Sequence, residues 1–273
     1  MRNLGLPGKV YLTGAGPGSA KLLTLRAMEV LKNADIVFHD DLVSTEVLAL
    51  IPAHVAVHNV GKRCGPKKIS QEEIQQRLIR AARSGQSVVR LKGGDPLIFG
   101  RAQEEIAALR KAAIPFEIVP GVTAACAAAA AAEISLTDRR GASKLVFISN
   151  HRCAQKDARN WNAALMDSTL VFYMPGRQLE SLQGDLLANG LDADVPCLII
   201  SRATLATQKV IHTTIGGLAS APREEAPSLL VVGLTCSEAR ADLHAASKPH
   251  REQRGAQEET ILDLEPRAEL LSN

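Results

Sequence analysis

Three short stretches of the chain carry residues with chemical use. Gly14-Ala15-Gly16-Pro17-Gly18-Ser19 stands between a β-rich run and a helical one, a setting in which glycines let the backbone and a helix N-terminus approach a pyrophosphate. The match fails in detail. The third glycine of G-x-G-x-x-G would fall at Ser19, Pro17 removes a backbone N–H, and Ala20 precedes Lys21 where a phosphate-binding loop has glycine. A second turn, Lys92-Gly93-Gly94-Asp95-Pro96, closes another β-rich run. Gly93 and Gly94 permit close backbone approach to a ligand, and Asp95 can accept a hydrogen bond from a ribose or amino group. The same residues also suit a plain tight turn. The third stretch, Asp40-Asp41, reads by residue type as a loop-capping pair.

Other chemistries find less support. Cys64, Cys126, Cys153, Cys197 and Cys236 form no C-x-x-C pair and no Cys/His cluster, so buried free thiols are expected, with neither a disulfide framework nor a metal site. Aromatic residues make up 3% of the chain, which argues against base stacking and a nucleic-acid partner. The net charge is only +3, yet residues 1–150 hold 20 Lys and Arg against 13 Asp and Glu, and residues 151–273 hold 12 against 16. The first half is therefore suited to an acidic ligand.

The 273 residues are 46% hydrophobic and 22% charged, a globular composition with room for one large or two modest domains. The longest apolar run, Ala124 to Ala132, has nine residues, far short of the roughly 20 that cross a bilayer. Met1 to Lys9 has no secretory apolar region, and a cytoplasmic protein without a membrane partner is expected.

The elements that must position these stretches alternate. Strands are expected at Lys9–Thr13, Ile36–Phe38, Val55–Val57, Ser87–Leu91 and Phe116–Val119. Helices are expected over Leu22–Leu31, from a capping box at Ser70 to a stop at Gly85, over Arg101–Lys111, and from Thr123. This pattern indicates an α/β fold with a parallel sheet. The periodicity lapses over Ile134–Ser143 and resumes with strands at Leu145–Ser149, Leu170–Tyr173, Val195–Ile200, Val210–Thr213 and Leu229–Val232. Domains are expected at 8–135 and 143–240, with 245–273 a mobile tail.

VYLTGAGPGSAKLLTLRAMEVLKNADIVFHDDLVS (10–44), GKRCG (61–65), VVRLKGGDPLIFGR (88–101) and PFEIVPGVTAA (115–125) together resemble the tetrapyrrole methylases, over roughly residues 8–235. GKR combined with RLKGGDP is similar to the uroporphyrinogen-III C-methyltransferases of that family. The resemblance implies two α/β domains with an S-adenosylmethionine cleft between them, and a homodimer. It further implies methylation of uroporphyrinogen III at two ring carbons, by way of precorrin-1 to precorrin-2, for sirohaem and cobalamin synthesis, with S-adenosylhomocysteine released. Carried over residue by residue, the cofactor contacts fall on Pro17, Gly93, Gly94, Asp95, Ile98, Thr123, Ala124, Met174 and Ala203. A general base falls on Asp40 and a proton donor on Lys62. The octacarboxylate substrate directs attention to Arg63, Arg101 and Arg139, with Lys67, Lys68 and Arg140 as further candidates. His39 is expected to be structural.

The chain departs from the family where AYxGIPLTHR becomes Ala130-Ala131-Ala132-Glu133-Ile134-Ser135-Leu136-Thr137-Asp138-Arg139, where GRGGEE becomes Gly100-Arg101-Ala102-Gln103-Glu104-Glu105, and where VTGH becomes Ile148-Ser149-Asn150-His151. These changes keep two alternatives open: a different precorrin methylase, or a catalytically weakened homologue that binds the cofactor. Carboxylates at 133 and 138 are expected to repel an acidic substrate if they border it.

Overall fold

A computed structural model describes residues 7–61, 69–150, 167–176 and 179–238. The described residues lie within one unit, Met1–Ala241. The expected tail lies outside the described residues.

The first half builds a five-stranded sheet from β1 (Val10–Gly14), β2 (Ile36–His39), β3 (Ala56–Asn59), β4 (Val88–Lys92) and β5 (Phe116–Val119). Its order is β3-β2-β4-β1-β5 and every pairing is parallel. Helices α1 (Leu25–Lys32), α2 (Thr45–Leu48), α3 (Gln71–Arg83) and α4 (Ala102–Lys111) connect the strands. Their starts are chemically marked. Thr24 Oγ1 accepts the Ala27 N–H, Ser44 Oγ the Val47 N–H and Ser70 Oγ the Glu73 N–H, each satisfying a donor that the first helical turn leaves unpaired.

Two apolar layers cover the sheet. One joins α3 and α4 to Val10, Leu12 and Val88, and the other joins α1 to Val37, Val89 and Leu91. The stripe that α1 buries is Ala27, Val30 and Leu31, while Leu25 is 91% exposed. That face packs on the sheet, and Leu25 falls on the opposite side of the helix.

Neighbouring strands β1 and β4 thus send their helices to opposite faces, α1 to one and α4 to the other. The loops leaving their carboxyl ends must diverge, and the crevice that opens there is where ligands enter open α/β sheets.

The second sheet contains β6 (Lys144–Ser149), β7 (Ser168–Tyr173), β8 (Pro196–Ser201), β9 (Lys209–Thr214) and β10 (Ser228–Val232), in the order β6-β7-β10-β8-β9. Only β6 and β7 are parallel, so the resumed alternation does not produce a second parallel sheet. Residues 202–208 between β8 and β9 are too few for a crossover, which needs about a dozen, and a hairpin results. Helix α6 (Glu180–Ala188) has no expected counterpart: Gly184 weakens its signal, but Leu182 and Leu186, one turn apart, are buried. The Ala-rich α5 (Ala124–Ala131) follows β5 yet packs against Val171, Leu198 and Val231 of the second sheet. Among the described residues no helix is long and apolar enough to cross a membrane.

Candidate functional site

The crevice is lined by backbone. Gly16 N–H donates to Gly94 O at 3.2 Å and Gly94 N–H returns a bond to Gly16 O at 2.7 Å, lashing the turn after β1 to the turn after β4. A Cβ on Gly14 would stand 2.6 Å from Gly121 Cα and 2.7 Å from Gly94 O. Three chain segments therefore meet where only glycine fits. Asp95 binds this cluster from below: Oδ1 accepts from Leu97 N at 2.8 Å and Oδ2 from Gly121 N at 3.0 Å. The carboxylate expected to meet a ribose or amino group also ties the β4 turn to the β5 turn.

The second sheet closes on the same rim. Ser19 N–H donates to Thr204 Oγ1 at 3.0 Å, and a Cβ on Gly18 would come within 2.9 Å of Leu205 Cδ2, so the turn holding Pro17 abuts the β8–β9 loop. Ile98, Ala124 and Ala203 pack on one apolar cluster with Tyr173 and Val171. The Tyr173 ring lies 4.9 Å from Phe99 and 5.6 Å from Phe147. Burial raises the Tyr173 pKa. Phe99, Arg101, Met174, Arg202 and Thr204 all have φ between 50° and 71°. Non-glycine residues in this left-handed region concentrate where a site dictates the backbone.

Beside the crevice, Asp40 follows β2 and its N–H donates to Leu91 O at 3.2 Å. A Cβ on Gly93 would meet Leu42 Cβ at 2.9 Å, so the Asp40 loop and the Gly93 turn are in contact. Asp40 Oδ1 takes a hydrogen bond from Arg90 Nη2. Below that pair, Glu105 Oε1 accepts from Arg90 Nε at 3.0 Å and from Gln71 Nε2 at 3.1 Å, while Lys92 Nζ lies 3.1 Å from Glu105 Oε2. Burial opposes the Arg90 charge, but Asp40 and Glu105 outweigh it and raise its pKa. Lys92 is lowered, first by burial and then by Arg90.

Comparison with known proteins places this arrangement. The profile of the tetrapyrrole (corrin/porphyrin) methylases matches residues 9–219. The chain belongs to the tetrapyrrole methylases. It is 44% identical over 234 residues to uroporphyrinogen-III C-methyltransferase of Paracoccus denitrificans, covering 83% of this chain and 80% of that one. It is also 44% identical over 228 residues to siroheme synthase 1 of Klebsiella pneumoniae subsp. pneumoniae, covering 83% of this chain and 48% of the relative. The chain therefore spans about half the length of the siroheme synthases it matches. The crystal structure of uroporphyrin-III C-methyltransferase from Thermus thermophilus complexed with S-adenyl homocysteine superposes with a TM-score of 0.73 at 36% identity, covering 84% of this chain and 99% of that one.

In this tetrapyrrole methylase the expected residues do not all converge. Pro17, Gly93, Gly94, Asp95, Ile98, Thr123, Ala124, Met174 and Ala203 lie on the loops and helix start that meet at the crevice. Lys62, Arg63, Lys67, Lys68 and His151 lie outside the described residues. Arg101 is the residue before α4 and forms a two-pronged pair with Glu104, 2.7 Å on each arm. Arg139 is exposed in the 138–142 turn, where a Cβ on Gly141 would approach Leu234 Cδ1 at 3.4 Å. His39 is buried, with Nδ1 3.0 Å from Asp40 O, as a structural residue would be. Cys197 and Cys236 are buried, but Cys126 is exposed, contrary to expectation, because it lies on the face of α5 turned away from the alanines packed on the second sheet.

Sequence reasoning missed Tyr173 and the Arg90–Glu105–Lys92 cluster. A signal for the second was present: two cations in an otherwise apolar five-residue strand, VVRLK, require a buried anion.

Proposed function

We propose that this chain is an S-adenosylmethionine-dependent C-methyltransferase that converts uroporphyrinogen III, by way of precorrin-1, to precorrin-2, supplying sirohaem and cobalamin synthesis. The observation that carries this reading is the contact of the Gly93 turn, whose neighbour Gly94 meets Gly14 and Gly121, with the loop that holds Asp40. One rim then offers a cofactor cradle and a carboxylate.

The residues suit the cofactor. The glycine turns at 93–94 and 14–18 offer backbone to its polar groups, the loop side chains Leu97, Phe99 and Met174 remain exposed, and α5 presents its N-terminal turn at Thr123 and Ala124. Bound there, S-adenosylmethionine supplies an electrophilic methyl group. The chain's part is to hold an electron-rich pyrrole carbon in line with it and to accept the proton that the carbon loses after the methyl is added. Asp40, with one oxygen fixed by Arg90, is assigned as that acceptor. Lys62 is assigned as the proton donor on resemblance alone. Arg63, Arg101 and Arg139 are assigned to substrate carboxylates, and for Arg101 this requires exchanging Glu104 for the substrate.

We further propose domains 8–135 and 143–240, one around each sheet, and a cytoplasmic homodimer. The test is release of S-adenosylhomocysteine on adding uroporphyrinogen III to protein and S-adenosylmethionine. Release that depends on the tetrapyrrole supports the reading; release independent of it, or none, overturns it.

A further inference from the structure

Glu105 is fully buried, and Arg90 and Lys92 are each 2% exposed. This carboxylate is the hub of a buried network. It receives Arg90 Nε, Lys92 Nζ at 3.2 and 3.1 Å, and Gln71 Nε2. Arg90 is then held at its remaining nitrogens: Nη1 donates to Phe38 O at 3.4 Å and Leu91 O at 3.2 Å, and Nη2 donates to Asp40 Oδ1. The guanidinium is planar and cannot turn without breaking several of these bonds together. Asp40, by contrast, is part-exposed, its side chain 29% accessible, and Oδ2 receives no hydrogen bond from the described residues. One oxygen is pinned and the other is presented.

We propose that Glu105 is a positioning residue for the methyl-transfer reaction: through Arg90 it fixes the direction in which Asp40 offers its second oxygen to the substrate. The inference rests on the methyltransferase reading above. Without the Glu105 carboxylate, Arg90 keeps its backbone acceptors and Asp40 but loses the anion that anchors its Nε edge, and Lys92 is left beside it without a counter-charge. Arg90 then swings, and Asp40 follows. The cofactor loops are untouched, because their ties run through Gly16, Gly94, Asp95 and Gly121.

The experiment is a kinetic double-mutant cycle on the full chain, measuring kcat and KM for uroporphyrinogen III and the affinity for S-adenosylhomocysteine. Glu105→Gln is expected to lower kcat by roughly 10- to 100-fold, the loss that misplacement by about 1 Å produces. KM and cofactor affinity are expected to stay within about twofold, the scatter of independent sites. Added to Asp40→Asn, the same substitution is expected to change kcat by less than about twofold, since its route is already removed. An equal loss in both backgrounds, or wild-type kcat in Glu105→Gln, overturns the proposal. If Glu105→Gln alone does not fold, Glu105→Gln with Lys92→Met removes one cation with the anion and serves in the same cycle. A wild type inactive on uroporphyrinogen III overturns the functional reading and this inference with it, whereas an active wild type with equal losses in both backgrounds overturns this inference alone.

Discussion

The Tyr173 hydroxyl lies 2.6 Å from Thr123 Oγ1 and accepts the Ala125 N–H at 3.2 Å, so the last residue of β7 caps the helix that follows β5. Thr123 makes no side-chain bond to its own helix; the second sheet supplies the acceptor instead. This ties Thr123 and Ala124, the proposed cofactor contacts, to the opposite wall of the crevice. Tyr173→Phe should therefore weaken S-adenosylhomocysteine binding by about fivefold, the effect of roughly 1 kcal/mol of hydrogen bonding. Calorimetry checks it, and an unchanged affinity would reduce the contact to packing.

The glycine meeting point tolerates no side chain. Gly121→Ala would set a Cβ 2.9 Å from Gly14 Cα, against backbone that cannot step aside, and should cost about 1–3 kcal/mol as overpacking does. The loss should appear in the urea midpoint and in cofactor affinity together. Gly184→Ala, with nothing within 4 Å of its Cβ, is the control and should stabilise its helix by up to about 1 kcal/mol.

Glu133 stands where the family has glycine and adopts φ 54°, just past the end of α5. Glu133 N–H donates to Ala130 O at 3.2 Å and Ile134 N–H to Ala129 O at 3.0 Å, closing the helix in the way a glycine favours. Glu133→Gly should raise stability by about 1 kcal/mol, since a left-handed residue with a Cβ costs that much. Asp138, the other expected source of repulsion, holds Arg140 by paired bonds of 2.6 and 3.1 Å. Its charge is already answered, so Asp138→Asn should leave the salt dependence of KM unchanged. A lowered KM in that variant would contradict the pairing.

Glu117 on β5 joins Arg26 of α1 at 2.8 Å and Lys9 at 2.7 Å. Hydrogen bonding from Arg26, then from Lys9, lowers its pKa from 4.5 to about 2. The fold favours the ionised form, so this contribution is complete above 4.5 and disappears as pH falls from there to about 2. Glu117→Gln should narrow the stability gap to wild type over that window and leave it constant above it. Urea midpoints taken across the acid range check this; a gap that ignores pH would assign Glu117 to packing.

Local rules made some elements plain in the sequence. β5 begins and ends at Phe116 and Val119, and α3 starts behind Ser70, because patterning and capping are readable from neighbours. The crevice was not readable, because it depends on β1 lying beside β4 with their helices on opposite faces, and strand order is set by distant packing. Nor was the direction of β8 to β10, which turned on loop length more than on strand composition. Gly93–Asp95 were visible by type and Asp40 only through the family resemblance, whereas Glu105 as partner of Arg90 and Lys92 required the fold.

The most direct measurement is mass analysis of the tetrapyrrole after incubation of the chain with uroporphyrinogen III and S-adenosylmethionine carrying a trideuterated methyl group. Two deuterated methyl groups on the macrocycle, in wild type and not in Asp40→Asn, are the predicted result. A folded protein that binds S-adenosylhomocysteine but leaves the macrocycle unlabelled would contradict it.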